Sequence, residues 1–307
     1  MNTEHTAAAT GQPLPATIPE YLEQLRQALR GADPALVQDA LYDAEEYLRA
    51  ELAEQPGRAE AEVVAAVAGS YGAPEEVADI YRQTEVTVNR ALRPPQPPRG
   101  RSLAARFFGV AADPYTYGGL FYMLLSLATG IFYFTWVVAG ASLSAGLLVL
   151  IVGIPLLLLF LMSVRLLSLV EGRIVEVLLG ERMPRRPPYT QRDRSWLKRI
   201  GELFTDGRTW TTMLYFLLML PLGAAYFSVA VALLSTSLSL IAAPVALLLG
   251  ATGAIVLDGV LPAAPVLGPL CFAAGVALLF ATLHLFRGVG RFHGWLAKHL
   301  LVRDPVV

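Results

Sequence analysis

Residues 117–140 read YGGLFYMLLSLATGIFYFTWVVAG and carry no charged side chain. As an α-helix, this run is long enough to cross the hydrocarbon layer of a bilayer, which is about 30 Å thick. Three further apolar runs, at about 143–164, 210–234 and 267–286, meet the same criterion. The sequence therefore predicts an all-α integral membrane protein with four spanning helices.

Charge is distributed unevenly along the chain. Residues 1–92 hold 16 Asp and Glu against 6 Lys and Arg, whereas residues 93–307 hold 9 against 18. This pattern indicates an acidic, water-exposed head followed by a basic part that meets membrane lipid. Because phosphate repels an acidic surface, we expect no direct binding of nucleic acid by the head.

The head and the membrane part are separated by a change in composition. We predict a disordered lead at 1–18, a small helical domain at 19–92, a proline-rich linker at 93–100 and a membrane domain at 101–307. A domain as small as 19–92 has a thin core. We therefore expect it to gain stability from a partner or from self-association, for example as a homodimer.

The membrane domain contains an internal repeat, with copies at 101–187 and 194–307. Because each copy holds two spans, we predict a 2+2 parallel repeat with its axis along the membrane normal. Residues 238–249 could form a span, a helix extension or a re-entrant segment. Polar and glycine positions match as well as apolar ones: Arg101, Asp113, Tyr122, Gly130 and Tyr133 recur as Arg194, Asp206, Tyr215, Gly223 and Tyr226.

Basic residues predict the orientation of the spans. Lys and Arg concentrate before the first span, between the second and third, and at the end of the chain. By the positive-inside rule, the N-terminus, the middle loop and the C-terminus are all expected on the cytoplasmic side of a bacterial membrane.

Two kinds of membrane contact are predicted. Amphipathic segments ahead of the first and third spans are expected to lie among the lipid headgroups, through Leu103, Phe107, Arg194, Trp196, Arg199, Ile200 and Phe204. Small residues that let helices approach closely are Gly130, Ser142, Gly223 and Ser235.

The sequence offers no recognisable chemistry. We find no nucleophile with a base, no metal-ligand spacing and no cofactor motif, so we expect no enzyme, no metal and no cofactor. His284 is expected to snorkel or cap near the membrane boundary, and His293 and His299 to be solvated or to face lipid in a basic exit helix. The scarcity of ionisable groups in the spans argues against an ion-coupled transporter.

Two stretches resemble known families. Through DALYDAEEYLRAEL at 39–52 and GSYGAPEEVADIY at 69–81, residues 19–83 resemble the HAAS domain, a helix-turn-helix-associated α-helical signalling domain. From residue 113 to about 302 the chain resembles a bacterial membrane sensor domain, through paired segments that read LATG at 127–130 and LPLG at 220–223. The first resemblance implies signalling beside PadR-like winged-helix regulators, and the second implies envelope sensing.

The leading hypothesis is a membrane signalling protein that relays an envelope or membrane state to a cytosolic transcription regulator. The surface expected to hold the regulator comprises Tyr71, Gly72, Pro74, Glu75, Glu76 and Asp79. A small permease or accessory subunit of an export system is the alternative. A water-filled polar cavity would favour the permease, and a dry interface around the small residues would favour the sensor. A lipid enzyme ranks third, because the sequence shows no polar constellation for its chemistry.

Overall fold

The computed structural model describes residues 15–92, 102, 107–150, 153–186, 201, 204–248 and 264–302. Within these ranges every regular element is helical. The chain divides into two compact units. Of the described residues, 15–92 and 186 belong to the N-terminal unit, and the remainder belong to the membrane unit. The predicted linker at 93–100 lies outside the described residues.

The N-terminal unit consists of four helices. They are α1 (Ile18–Ala28), α2 (Pro34–Glu54), α3 (Glu60–Ser70) and α4 (Pro74–Leu92). The Asp33 carboxylate accepts a hydrogen bond from the Ala35 amide at 2.9 Å and so caps α2, whose first residue is proline. The four helices enclose one apolar core that includes Tyr21, Leu25, Leu36, Ala44, Val64 and Ala78.

The membrane unit contains four long helices. They are α5 (Pro114–Leu147), α6 (Gly153–Leu179), α7 (Gly207–Leu248) and α8 (Ala264–Leu301). All four are long and apolar enough to cross a membrane. Large apolar side chains remain on the outside of this unit, such as Leu159 and Leu270, which are 65% and 62% exposed. Such a surface suits lipid rather than water.

The helices run further than the predicted spans. α6 continues past 164 and takes in Glu171, and α8 continues past 286 and takes in His293. The predicted exit helices are therefore continuous with the second and fourth spans. Residues 238–248 continue α7, so of the three options left open for this stretch, the helix extension is the one observed.

Glycines bring α5 and α7 into backbone contact. A Cβ atom on Gly130 would overlap the carbonyl of Met219, and one on Gly223 would overlap the carbonyl of Ser126. As the residue number rises along α5, it falls along the facing side of α7. The two helices are therefore antiparallel, whereas a repeat with its axis along the membrane normal would make them parallel.

The same reasoning fixes the direction of α8. Gly275 of α8 packs on Ile241 of α7, and Gly268 packs on Pro244 near the end of that helix, so α7 and α8 are also antiparallel. Consequently α5 and α8 run in the same direction. The orientation predicted from the basic residues stays a prediction.

Candidate functional site

Six polar side chains meet inside the membrane unit, and we call them the buried polar cluster. They come from all four long helices: Tyr122 and Tyr133 from α5, Glu171 from α6, Tyr215 and Tyr226 from α7, and His293 from α8. Glu171, Tyr215 and His293 have no exposed surface. Ionisable groups buried in membrane helices are costly and commonly mark function.

Glu171 is the acceptor at the centre of the cluster. Its Oε1 accepts hydrogen bonds from the hydroxyls of Tyr122 at 2.7 Å and Tyr215 at 2.9 Å. Its Oε2 accepts one from Tyr133 at 3.0 Å. Three hydroxyl donors from two other helices thus converge on one carboxylate, which is the arrangement that an ionised, acceptor-only group requires when it is buried.

His293 lies on the other side of the same hydroxyls. Its Nε2 is 2.6 Å from the Tyr122 oxygen and 2.8 Å from the Tyr215 oxygen. Since both hydroxyls donate to Glu171, Nε2 must carry the hydrogen and donate to their oxygens. Its Nδ1 lies 3.4 Å from the hydroxyl of Tyr226. A continuous chain of hydrogen bonds therefore joins Glu171 to His293 through two tyrosines.

Two ion pairs flank the cluster. Arg165 of α6 pairs with Asp206 at 2.9 Å, immediately before α7. Arg287 of α8 pairs with Asp113 at 3.0 Å, immediately before α5. Each pair is partly buried, and the first joins α6 to the start of α7 whereas the second joins α8 to the start of α5. The pairs hold the starts of α5 and α7 against the other hairpin.

The small residues predicted to mediate helix packing fall into two groups. Gly130 and Gly223 lie in the backbone contact between α5 and α7. By contrast, Ser142 and Ser235 are exposed, and the Ser235 hydroxyl donates to carbonyls of its own helix. The two serines therefore do not line the helix contact, because they lie on faces that point away from the cluster.

The histidine predictions require one correction. His293 is fully buried in the cluster rather than solvated or lipid-facing, because α8 carries its face inward past the predicted end of the span. His299 is exposed and lies against the Trp295 ring. His284 is exposed, and its Nε2 is 3.1 Å from the carbonyl oxygen of Phe107.

The expectation that the spans lack ionisable groups is also wrong. Glu171 lies beyond the predicted second span at about 143–164, yet it is inside α6, which continues to Leu179. A signal in the sequence was available: Tyr122 and Tyr133 are three helical turns apart on one face, and Tyr215 and Tyr226 repeat that spacing. Tyrosine hydroxyls facing inward in an apolar helix require polar partners.

Most of the predicted headgroup residues lie outside the described residues: Leu103, Arg194, Trp196, Arg199 and Ile200. The other two are described. Phe107 and Phe204 are 36% and 39% exposed, and the Phe107 ring packs against Phe280 with ring centroids 5.6 Å apart. Contact with lipid headgroups stays a prediction.

The predicted regulator surface lies around the turn between α3 and α4. Tyr71 is half-buried and stacks on Tyr47 at 4.5 Å, and Pro74 is buried, so both support the fold of the turn. Gly72 has a φ of +121°, which favours glycine. Glu76 and Asp79 are exposed and Glu75 is half-exposed, so the carboxylates are the accessible part.

The turn is held from behind by Tyr21 of α1. Its hydroxyl donates to the Gly72 carbonyl at 2.7 Å. Burial raises the pKa of Tyr21 and of Tyr71, so both phenols stay neutral at physiological pH. The glycine required at 72 and the buried tyrosine together explain why this turn presents a fixed backbone. Binding of a regulator here stays a prediction.

Among the residues that the structure describes, no three His, Cys, Asp or Glu side chains are placed to hold a metal ion. The buried polar cluster supplies one carboxylate and one imidazole, and the rest of its ligating atoms are phenol oxygens, of which three are engaged with Glu171 and that of Tyr226 lies beside His293 Nδ1. The arrangement is suited to holding or moving a proton along fixed hydrogen bonds.

Comparison with known proteins gives two family matches. The family described as “Putative sensor” matches residues 122–301, and the HAAS family matches residues 20–79. No curated protein and no solved structure matches the chain. The first match covers more than half of the chain, and the order of the two matches is the order that the sequence resemblances predicted. The chain therefore belongs to the Sensor family and carries a HAAS domain ahead of its membrane unit.

Proposed function

We propose that this chain is a membrane-embedded signalling protein that reports a membrane or envelope state to a cytosolic PadR-like regulator. The sensor and HAAS families together fit a role in membrane sensing and signalling. The observation that carries the proposal is the buried polar cluster, because its hydrogen bonds tie all four membrane helices at one point. A change in helix packing must act on that point.

The cluster can respond to packing in an all-or-none way. A buried carboxylate that loses its donors is left with a large desolvation cost, so partial separation of the helices is unfavourable. Glu171 has donors from α5 and α7, and the same hydroxyls reach His293 of α8. Stretching or thinning the bilayer shifts the helices by small amounts. The hydrogen bonds of the cluster oppose such a shift until they break together.

The membrane unit is, in this proposal, an inverted duplication. Reciprocal contacts support it. The Gly130–Met219 contact has its counterpart in Gly223–Ser126, and the Arg165–Asp206 pair has its counterpart in Arg287–Asp113. At the corresponding positions of the two copies, Glu171 faces His293 across the cluster. A two-fold axis perpendicular to the helices relates these pairs.

A small permease or an accessory subunit of an export system remains the alternative function. It would be favoured by a wet cavity lined with polar groups. The polar groups described here are instead enclosed, with Tyr122 and Tyr133 only 1% and 3% exposed, and the glycine contact between α5 and α7 is backbone on backbone. This dry packing supports the sensor.

We also propose that the chain is not an enzyme. A polar constellation exists, contrary to the sequence-based expectation. Its carboxylate and imidazole have no exposed surface, however, so a lipid substrate has no direct approach to them. Turnover of a lipid by the purified protein would contradict this part of the proposal.

The relay surface is the outward face of α4. Glu76, Asp79 and Ile80 share this face by helical spacing, and Ile80 is 57% exposed. An exposed apolar side chain between carboxylates fits a regulator surface that combines a basic group with an apolar contact. By the positive-inside rule, the basic residues ahead of α5 support a cytoplasmic location of the N-terminal domain at a bacterial membrane.

The test is a crosslinking pull-down from native membranes with the full chain and with a chain lacking residues 19–90. Co-purified proteins are identified by mass spectrometry. Recovery of a winged-helix regulator only when residues 19–90 are present is the expected result. Recovery of transporter subunits with both chains would contradict the relay and support the export alternative.

A further inference from the structure

Arg186 contacts α2 through its backbone amide, its backbone carbonyl and its guanidinium group. Arg186 belongs to the N-terminal unit. Its backbone amide donates to Asp39 Oδ1 at 3.0 Å, and its carbonyl accepts from Gln38 Nε2 at 2.6 Å. Its guanidinium Nε donates to Asp43 Oδ1 at 2.9 Å, and its Cζ lies 5.5 Å from the centre of the Tyr42 ring.

The four contacting residues form a built site on one face of α2. Positions 38, 39, 42 and 43 are adjacent on a helix, and the first two are 9% and 5% exposed. Asp43 is oriented from behind, because its Oδ2 accepts the hydroxyl of Tyr81 of α4 at 3.1 Å. The site is therefore fixed by the core of the domain rather than by flexible surface side chains.

The chemistry selects arginine in an extended segment. Two contacts engage the backbone of the bound residue, so the segment must present its amide and carbonyl rather than bury them in a helix. The other two contacts are an ion pair and the packing of a planar cation over an aromatic ring. A guanidinium group makes both contacts better than an ammonium group does. The charge of Asp43 raises the pKa of Arg186, as expected for a close ion pair.

We propose that this face of α2 is a binding site for an arginine-containing extended segment, and that Arg186 occupies it as an internal competitor. A regulator that presents such an arginine must displace Arg186. The inference rests on the proposed relay for its biological meaning, although the binding site itself can be tested alone. It adds a second contact surface to the N-terminal domain, on α2 rather than on the turn between α3 and α4.

The probe is a fluorescent synthetic peptide with the sequence of residues 182–190, RMPRRPPYT. Its binding to the full chain in detergent is measured by fluorescence anisotropy for the wild type, Arg186→Ala and Arg186→Ala with Asp43→Asn. We expect the Arg186→Ala chain to bind the peptide at least about tenfold more tightly than the wild type, because an attached competitor acts at high effective concentration.

Two protein variants and one peptide variant make the result specific. Asp43→Asn in the Arg186→Ala chain should reverse the gain, whereas Glu54→Gln, which removes one charge from an exposed position of the same helix, should not. A peptide with alanine at the position of Arg186 should bind at least about tenfold more weakly, since both charge and ring contacts are lost. Circular dichroism checks that each variant is folded.

Equal binding of the peptide to the wild type and to Arg186→Ala would overturn the proposal, as would binding that ignores the alanine in the peptide. The peptide experiment tests the arginine site independently of the pull-down, which tests the relay. A peptide result as expected, with no regulator recovered from membranes, would retain the arginine site and reject the relay.

Discussion

Replacing Glu171 by leucine tests the role of the buried polar cluster. The change keeps the volume of the side chain close to that of glutamate and removes the acceptor of three tyrosine hydroxyls. His293 Nε2 can accept one of them after a change of tautomer. Two buried hydroxyls are then left without their acceptor, so we expect a loss of about 2–6 kcal/mol at roughly 1–3 kcal/mol per orphaned group.

The matched control is Glu176→Gln on the same helix. Glu176 pairs with Arg173 and with Arg185 near the surface, where an ion pair contributes less than about 1 kcal/mol. The assay is reversible unfolding of the purified protein in mixed micelles, followed by circular dichroism. A free energy of unfolding for Glu171→Leu that equals the control within about 0.5 kcal/mol would refute the view that the cluster holds the helices together.

Three further predictions follow from the contacts. If the duplication is inverted, exchanging Glu171 and His293 in one double variant should restore most of the stability that Glu171→His loses alone, measured by the same unfolding assay. Tyr21→Phe should destabilise the N-terminal domain by about 0.5–1.5 kcal/mol, measured by hydrogen exchange in α1. Burial raises the pKa of Tyr21 in the folded protein, so the stabilisation by its neutral phenol is fully present below the unfolded-state pKa of about 10 and is lost as the pH rises further. Above pH 10 the free energy of unfolding should therefore fall less steeply for the phenylalanine variant than for the wild type. In a cysteine-free background, single cysteines at Ala145 and Thr205 should react with an impermeant maleimide from the same side of sealed vesicles, whereas labelling from opposite sides would restore the parallel repeat.

The membrane class could be predicted because charge is absent over long runs, and nothing but lipid suits such helices. The region of contact between α5 and α7 could also be anticipated, since Gly130 and Gly223 stand at matched positions of the two copies. Only the backbone contact of each glycine with the opposite helix reveals the direction. Sequence identity between copies is the same for a parallel and an inverted pair.

The cluster escaped prediction for a physical reason. Glu171 and His293 lie among basic residues, and such segments are ordinarily outside the hydrocarbon layer. Whether a charged residue is buried depends on which face of the helix it occupies and on what faces it from other helices. Its partners, Tyr122 and Tyr215, are supplied by helices distant in the chain, and no local pattern around Glu171 indicates them.

The N-terminal domain shows the opposite limit. Its helices could be predicted from caps such as Asp33 and from apolar spacing. The role of Arg186 could not, because this residue follows the second membrane span in the sequence and nevertheless belongs to the N-terminal unit. The sequence shows the acidic face of α2, but it does not indicate which group binds there.

The most direct measurement is the amount of regulator that crosslinks to the full chain when Glu171→Gln and Glu176→Gln are compared in native membranes. Glutamine in place of Glu171 weakens the cluster, and loss of even one such bond in a membrane, worth about 0.6 kcal/mol, changes an equilibrium by about threefold. The account predicts that recovery of the regulator falls at least about threefold for Glu171→Gln and is unchanged for Glu176→Gln. Equal recovery with both variants, at equal protein levels, would contradict the claim that the cluster controls the N-terminal domain.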